Sequence, residues 1–176
     1  MDAGNAFGYV DTFLPQHIIA IRLLIAAILG AMIGFEREWH TAEAGLRTHI
    51  LIAVAAALFT ILAFEIFHTI QGEGRSNPDP IRAVEAVTAG IAFLGAGAIF
   101  RRGGGVQGLT TGAGMWLAGA VGVATALGYY LIALGVAVLA VAILAMLRFF
   151  AHQVVGRDAQ PGAHEGKGPR GEADGD

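Results

Sequence analysis

The residues able to do chemistry fall into two groups. "EREWHTAEAGLRTH", residues 36–49, gathers Glu36, Arg37, Glu38, His40, Glu43, Arg47 and His49 into one stretch. Glu36 and His40 stand four apart and share a face if a helix runs that far. A carboxylate and an imidazole so placed are metal-ligand types, but a metal site takes three or four ligands. One Glu–His pair falls short of that. The stretch therefore reads as a solvated loop whose charges pair among themselves, with no metal and no cofactor. The second group is Arg22, Glu65 and Glu85, each inside or at the edge of a strongly apolar segment. An isolated arginine in a bilayer is costly, so it snorkels to the interface or finds a partner. Glu85 is the expected partner of Arg22, with Glu65 the second choice.

A third stretch, "AGIAFLGAGAIFRRGGGVQGLTTGAG" at 89–114, invites comparison with a phosphate-binding loop. Gly103 and Gly108 have the glycine spacing of that loop, but Leu109 stands where its lysine belongs and the context is expected to be helical. A dinucleotide fingerprint fails for want of a βαβ setting. No Ser/His/Asp or paired-carboxylate constellation is distinctive anywhere in the chain. Nothing argues for an enzyme, and no catalytic residue is assigned.

These residues must be positioned by elements of an unusual kind. The 176 residues are 55% hydrophobic and 14% charged, with a mean hydropathy of +0.62. Soluble domains carry about 25% charged residues. An all-α integral membrane protein is expected. Spanning helices need about 20 mostly apolar residues. Five stretches approach this, at about 17–35, 48–67, 84–100, 109–127 and 129–147. The third can gain a turn by starting at Pro80 or Ile81. Only Gly128 separates the last two, so a bent hairpin and a count of four spans stay open.

Basic residues then orient the chain. With five spans, Arg37, Arg47, Arg101, Arg102, Arg148 and Arg157 fall on one side, against Arg75 and Arg82 on the other. The amino terminus is expected outside and the carboxyl terminus in the cytoplasm. Residues 1–16 contain Asp2 and Asp11 but no Lys or Arg, so no cleaved signal peptide is read there. Residues 17–148 form the transmembrane domain. The remainder, 149–176, is a cytoplasmic tail whose glycine, proline and charge predict disorder. The chain has no cysteine and a formal net charge of −3. Disulfides are thereby excluded, and no nucleic-acid partner is indicated.

Small residues recur at four-residue spacing: Gly30 with Gly34, Ala86 with Gly90, and Gly114 with Ala118 and Gly122. Gly90 and Gly97, seven apart, share a helical face. Lipid gives helices no hydrophobic reason to associate, so close approach through small residues supplies the packing. Gly30, Gly34, Gly90, Gly95, Gly97, Gly114 and Gly122 are assigned to helix packing, with a ligand path along the Gly90 groove as the alternative. Arg101 and Arg102 suit anionic lipid at the inner surface, "GGGVQG" reads as a flexible turn, and Thr110 or Thr111 is expected to cap the fourth span.

Taken in order, "GAMIGFEREW", "AGLRTHILIAVAAALF", "DPIR", "GIAFLGAGAIFRRGG" and "GLTTGAGMWLAGAVG" resemble the membrane domain of the MgtC/SapB family over residues 18–148. Matching positions are Arg22, Glu36, Arg37, Glu38, Gly45, Leu46, Arg47, Thr48, His49, Asp79, Pro80, Arg82, Gly95, Gly97, Arg101, Gly108, Leu109, Thr110 and Thr111. Glu85 resembles a variant in which an acid precedes the glycine-rich span. Ala92 stands where many members have glycine, and "TTGAG" replaces the commoner "TTAAS". The resemblance implies a bacterial inner-membrane protein of about five spans. It also implies links to growth in low magnesium, survival in phagocytes and restraint of the membrane ATP synthase. Longer members carry a soluble carboxyl-terminal domain resembling an ACT fold; here only the tail follows Arg148.

Two functions follow. One is a non-enzymatic regulator that docks its spans against another membrane protein, or against a second copy of itself, within the lipid bilayer. The other is an ion or small-solute transporter or channel using Arg22, Glu65, Glu85, Glu36 and Glu38 as polar stations. A metal sensor built on Glu and His residues is the weakest reading.

Overall fold

In a computed structural model of the protein, the residues described are 12–39, 44–72, 79–102 and 105–155. They form five helices: α1 (Gln16–Glu38), α2 (Leu46–Gly72), α3 (Pro80–Gly97), α4 (Leu109–Ala126) and α5 (Tyr130–Val155). Between α3 and α4 lie two short strands, β1 (Phe100–Arg102) and β2 (Gly105–Gln107). Helices α1, α2 and α4 are long and apolar enough to cross a membrane, and α5 adds the shorter apolar stretch Tyr130–Met146. Residues 1–11 of the expected amino-terminal segment and 156–176 of the expected tail lie outside the described residues. Helix α5 runs on to Val155, past the expected boundary at 148.

Each helix begins and ends for a local reason. Pro15 precedes α1, and its carbonyl accepts the amides of Ile18 and Ile19. Asp79 caps α3, its carboxylate accepting the Ile81 amide at 2.9 Å, with Pro80 as the first helical residue. Proline suits that position because its missing N–H has no intrahelical acceptor there. Helix α4 ends in a left-handed turn at Gly128, φ +85°. The Gly128 amide bonds to the Thr125 carbonyl, and the Tyr129 amide bonds back to Ala124. This is a Schellman closure, which satisfies the helix's last carbonyls and reverses the chain. The single glycine between the last two segments thus separates two helices.

Two expectations for the α3–α4 connection are corrected. The glycine-rich turn is built on paired strands, antiparallel, with Phe100 opposite Gln107 and Arg101 opposite Val106. Thr110 and Thr111 do not cap α4. Gly108 occupies that position at φ +83°, and its carbonyl accepts the Gly112 amide at 2.8 Å. A glycine is required there because an added Cβ would run into the Ala98 carbonyl oxygen. That leaves Thr111 inside the helix and buried.

Helix α4 is the hub and packs on all four others. Ten of its eighteen residues are buried, against two, Ile91 and Gly95, of eighteen in α3. The main core joins Leu29, Ile33, Ile52, Ile91, Met115 and Val121; a smaller cluster of Ala26, Ala57, Ile61 and Ala126 lies beside it. Five of the seven packing glycines stand at close helix contacts. A Cβ on Gly30 would meet Ala53 Cβ at 2.8 Å, and one on Gly34 would meet Leu46 Cα at 2.8 Å. Gly95 faces the Gly112 carbonyl, Gly114 faces His49, and Gly122 faces the Ala53 carbonyl. With no side chain to intervene, backbones approach and van der Waals contact accumulates. Gly90 and Gly97 depart from the expectation: both are exposed, with nothing within 4 Å of an added Cβ. They lie on the side of α3 turned away from α4.

Candidate functional site

The ionisable residues sit at the two ends of the bundle. At one end, α1 brings Glu36 and Arg37 to its last turn, and both are buried at 8% exposure. Arg37 suits the negative end of a helix, whereas Glu36 is placed against that preference. Arg37 Nη2 donates to Thr111 Oγ1 at 3.2 Å, which ties α1 to α4. From α2 comes His49, fully buried and within electrostatic reach of Arg37. Its Nδ1 donates to the Gly45 carbonyl at 2.8 Å, so Nδ1 carries the hydrogen. His49 Nε2 and Arg37 Nε are buried without a hydrogen-bond partner among the described residues. Nε2 lies where a Cβ on Gly114 would stand only 3.1 Å away, and the Cβ of His49 lies against Gly34. Glycines on α1 and α4 therefore make the slot that admits the imidazole.

Other residues of the same stretch serve the backbone. Glu38 accepts the Leu46 amide at 2.9 Å and so caps α2, where an anion also meets the positive end of a helix. Gly45 is the close neighbour that lets this carboxylate in. Arg47 is exposed and Thr48 half-buried. Residues 40–43, and with them the His40 of the Glu36–His40 pair, lie outside the described residues. Among those described, no three His, Asp or Glu side chains gather as a metal site.

At the opposite end, the expected pairing of Arg22 with Glu85 or Glu65 is replaced by another. Arg22 Nε donates to Tyr130 Oη at 3.2 Å, and Nη1 donates to the Ala126 carbonyl. The guanidinium thus caps α4 and pins the α4–α5 turn, a carbonyl-rich place suited to a cation. Glu85 and Arg82 are exposed on α3. Glu65 instead accepts the amides of Phe13 and Leu14 at 2.7 and 2.9 Å, fastening the segment that leads into α1. Phe13 stacks on His68, ring centroids 3.7 Å apart, in the same fastening. Neither Tyr130 nor Phe13 was legible as a partner from spacing, since each meets its mate across most of a helix pair or more. Thr110 is exposed at the start of α4. Arg101 lies on β1 in register with Val106.

Between these ends the bundle is empty of charge. No ionisable residue lies between Arg22 and Glu36 in α1, between His49 and Glu65 in α2, or anywhere in α4. At 1.5 Å per residue that is a zone about 20 Å deep. Its buried hydroxyls bond within their own helices: Thr60 to the Ala56 carbonyl at 2.7 Å and Thr125 to Val121 at 2.8 Å.

Long apolar helices joined by small residues, with polar clusters only at their ends, define a helical membrane protein. The sequence profile of the MgtC family matches residues 23–153, and the chain belongs to that family. It is 37% identical over 135 residues to Protein MgtC of Salmonella typhimurium strain LT2, covering 76% of this chain and 54% of that protein. Protein MgtC of Brucella abortus strain 2308 is 40% identical over 134 residues, covering 76% and 53%. YhiD of Escherichia coli K12, named as a candidate magnesium transporter, is 40% identical over 110 residues, covering 62% and 51%. The chain thus spans about half the length of the curated relatives it matches. No solved structure matches it.

Proposed function

We propose that this protein is a multi-pass protein of the bacterial inner membrane that regulates another membrane protein by docking against it. Its setting is adaptation to low magnesium or related stress, and it performs no covalent chemistry. Five spans with the carboxyl terminus in the cytoplasm fit the bias of basic residues. The observation carrying this reading over transport is the uncharged zone between Arg22 and Glu36. A charged solute crossing there would meet no polar station, and the cost of a bare ion in such a medium is prohibitive. The magnesium setting is supported by family membership and by the name of YhiD. The ATP synthase is the partner to which the family resemblance points. Transport remains the second reading, favoured by the buried Glu36, Arg37 and His49.

The two are separated in liposomes holding a magnesium indicator. The expected result is a flux equal to that of empty vesicles, together with photo-crosslinking of the protein to a membrane complex in cells. Saturable magnesium entry that Glu36→Gln abolishes would overturn the regulator reading.

A further inference from the structure

A groove of about 640 Å³ runs between α2 and α3, lined by residues such as Leu51, Phe59, Ala86, Gly90 and Leu94. Its lining is entirely apolar in residue type. The volume falls within the roughly 300–1,000 Å³ of small-molecule sites, so the groove is larger than a packing defect. Ala86 and Gly90 make one wall shallow, and Gly90 has nothing within 4 Å of an added Cβ. The groove follows the helix axes from Phe59 to Leu51, about 12 Å at the helical rise. That shape suits an extended hydrocarbon chain lying along the membrane normal.

A basic residue stands over one end. Arg47 is exposed and stands four residues before Leu51 on α2, so it lies over the groove's mouth on the same helical face. Helix α3 ends three residues beyond Leu94, and β1 with Arg101 and Arg102 follows at once. The basic residue over the mouth is thus Arg47 of α2, and the backbone of β1 follows α3 at the same end. At the other end α3 carries exposed residues of both signs, Arg82 and Glu85.

We propose that this groove is a binding site for an anionic phospholipid, with an acyl chain along Leu51, Phe59 and Gly90 and the phosphate at Arg47. Basic residues between membrane helices hold anionic head groups, whereas ordinary boundary lipid needs no such end charge. The site is independent of whether the protein regulates or transports.

The test is lipid retention by the full chain in detergent, read by native mass spectrometry. Phosphatidylglycerol and phosphatidylcholine of identical acyl chains are offered in competition. Phosphatidylglycerol is expected to be retained preferentially. Arg47→Gln lowers that preference about fivefold, the effect of one interfacial basic side chain. Gly90→Leu, whose Cβ meets nothing within 4 Å and whose side chain takes up groove volume, lowers retention of both lipids while leaving the thermal transition in place. Equal retention of the two lipids by the parent chain would overturn the proposal, as would unchanged retention in Gly90→Leu. So would a parent dimer that Gly90→Leu converts to monomer, because a second copy would then be the occupant.

Discussion

Arg22 shows how a charged side chain is kept in an apolar helix. It lies six residues into α1, and its guanidinium reaches the Ala126 carbonyl and Tyr130 Oη. The carbonyl has no helical partner of its own because α4 ends there, so donor and acceptor each relieve the other's desolvation. Arg22→Met should cost about 1–2 kcal/mol, the loss of charge-assisted hydrogen bonds at a partly exposed site. A double-mutant cycle with Tyr130→Phe should return a coupling of about 0.5–1 kcal/mol. The cycle of Arg22→Met with Glu85→Gln should be additive. Denaturant unfolding in micelles measures both, and coupling to Glu85 with none to Tyr130 would reverse the assignment. His49 illustrates the same logic at the other end. Its Nδ1 is satisfied by a carbonyl one turn back, and two glycines on neighbouring helices give the ring its room.

At the scale of elements, two left-handed glycines close the turns around α4, and they are not equivalent. At Gly128 (φ +85°) a Cβ would meet only the flexible end of Arg22, at 3.3 Å. At Gly108 (φ +83°) it would meet the Ala98 carbonyl oxygen, which the backbone holds in place. Gly128→Ala should therefore cost about 1–2 kcal/mol, the left-handed penalty alone. Gly108→Ala should cost clearly more, since the strand pair must shift as well. Thermal unfolding of the two variants tests the order, and equal losses would show that the connection yields freely. The elements themselves were largely legible. Segments expected at 17–35 and 48–67 are found as Gln16–Glu38 and Leu46–Gly72, because long apolar runs need no partner to be recognised. The Gly30/Gly34 and Gly114/Gly122 spacings were legible as packing for the same reason: the period is local. The strand pair was not, since three-residue strands within a glycine run show no alternation. Nor was the outward facing of Gly90 and Gly97, which depends on where α3 is set down and not on its own periodicity. Arg22 was visible as a residue needing a partner, but that partner is a backbone carbonyl more than a hundred positions away, which no spacing marks.

For the molecule as a whole, the packing is graded from α4 outward. Helices α1 and α2 clasp it through Gly30, Ala53 and Gly122, while α3 rests on α2 and α4 through Ile91 and Gly95. In a membrane, where small-residue contact and dispersion do the holding, two buried residues secure a helix less than ten do. Helix α3 also borders the groove and carries Glu85 and the open faces of Gly90 and Gly97. With α5 it is thus one of the two more lightly held helices, and of the two it is the one beside the groove; elements of low local stability open first. The chain contains no cysteine, so single thiols report on one site each without background. Ile91→Cys, at the α3–α4 contact, should become reactive to a maleimide at a lower concentration of denaturing detergent than Ala57→Cys, which is buried beside α1. A coincident loss of protection would mean that the five helices open as one unit. In that case docking of a partner on α3 would have to act on the whole bundle; a staggered loss instead lets a partner, or a lipid in the groove, set the position of α3 while the α1–α2–α4 clasp stays closed.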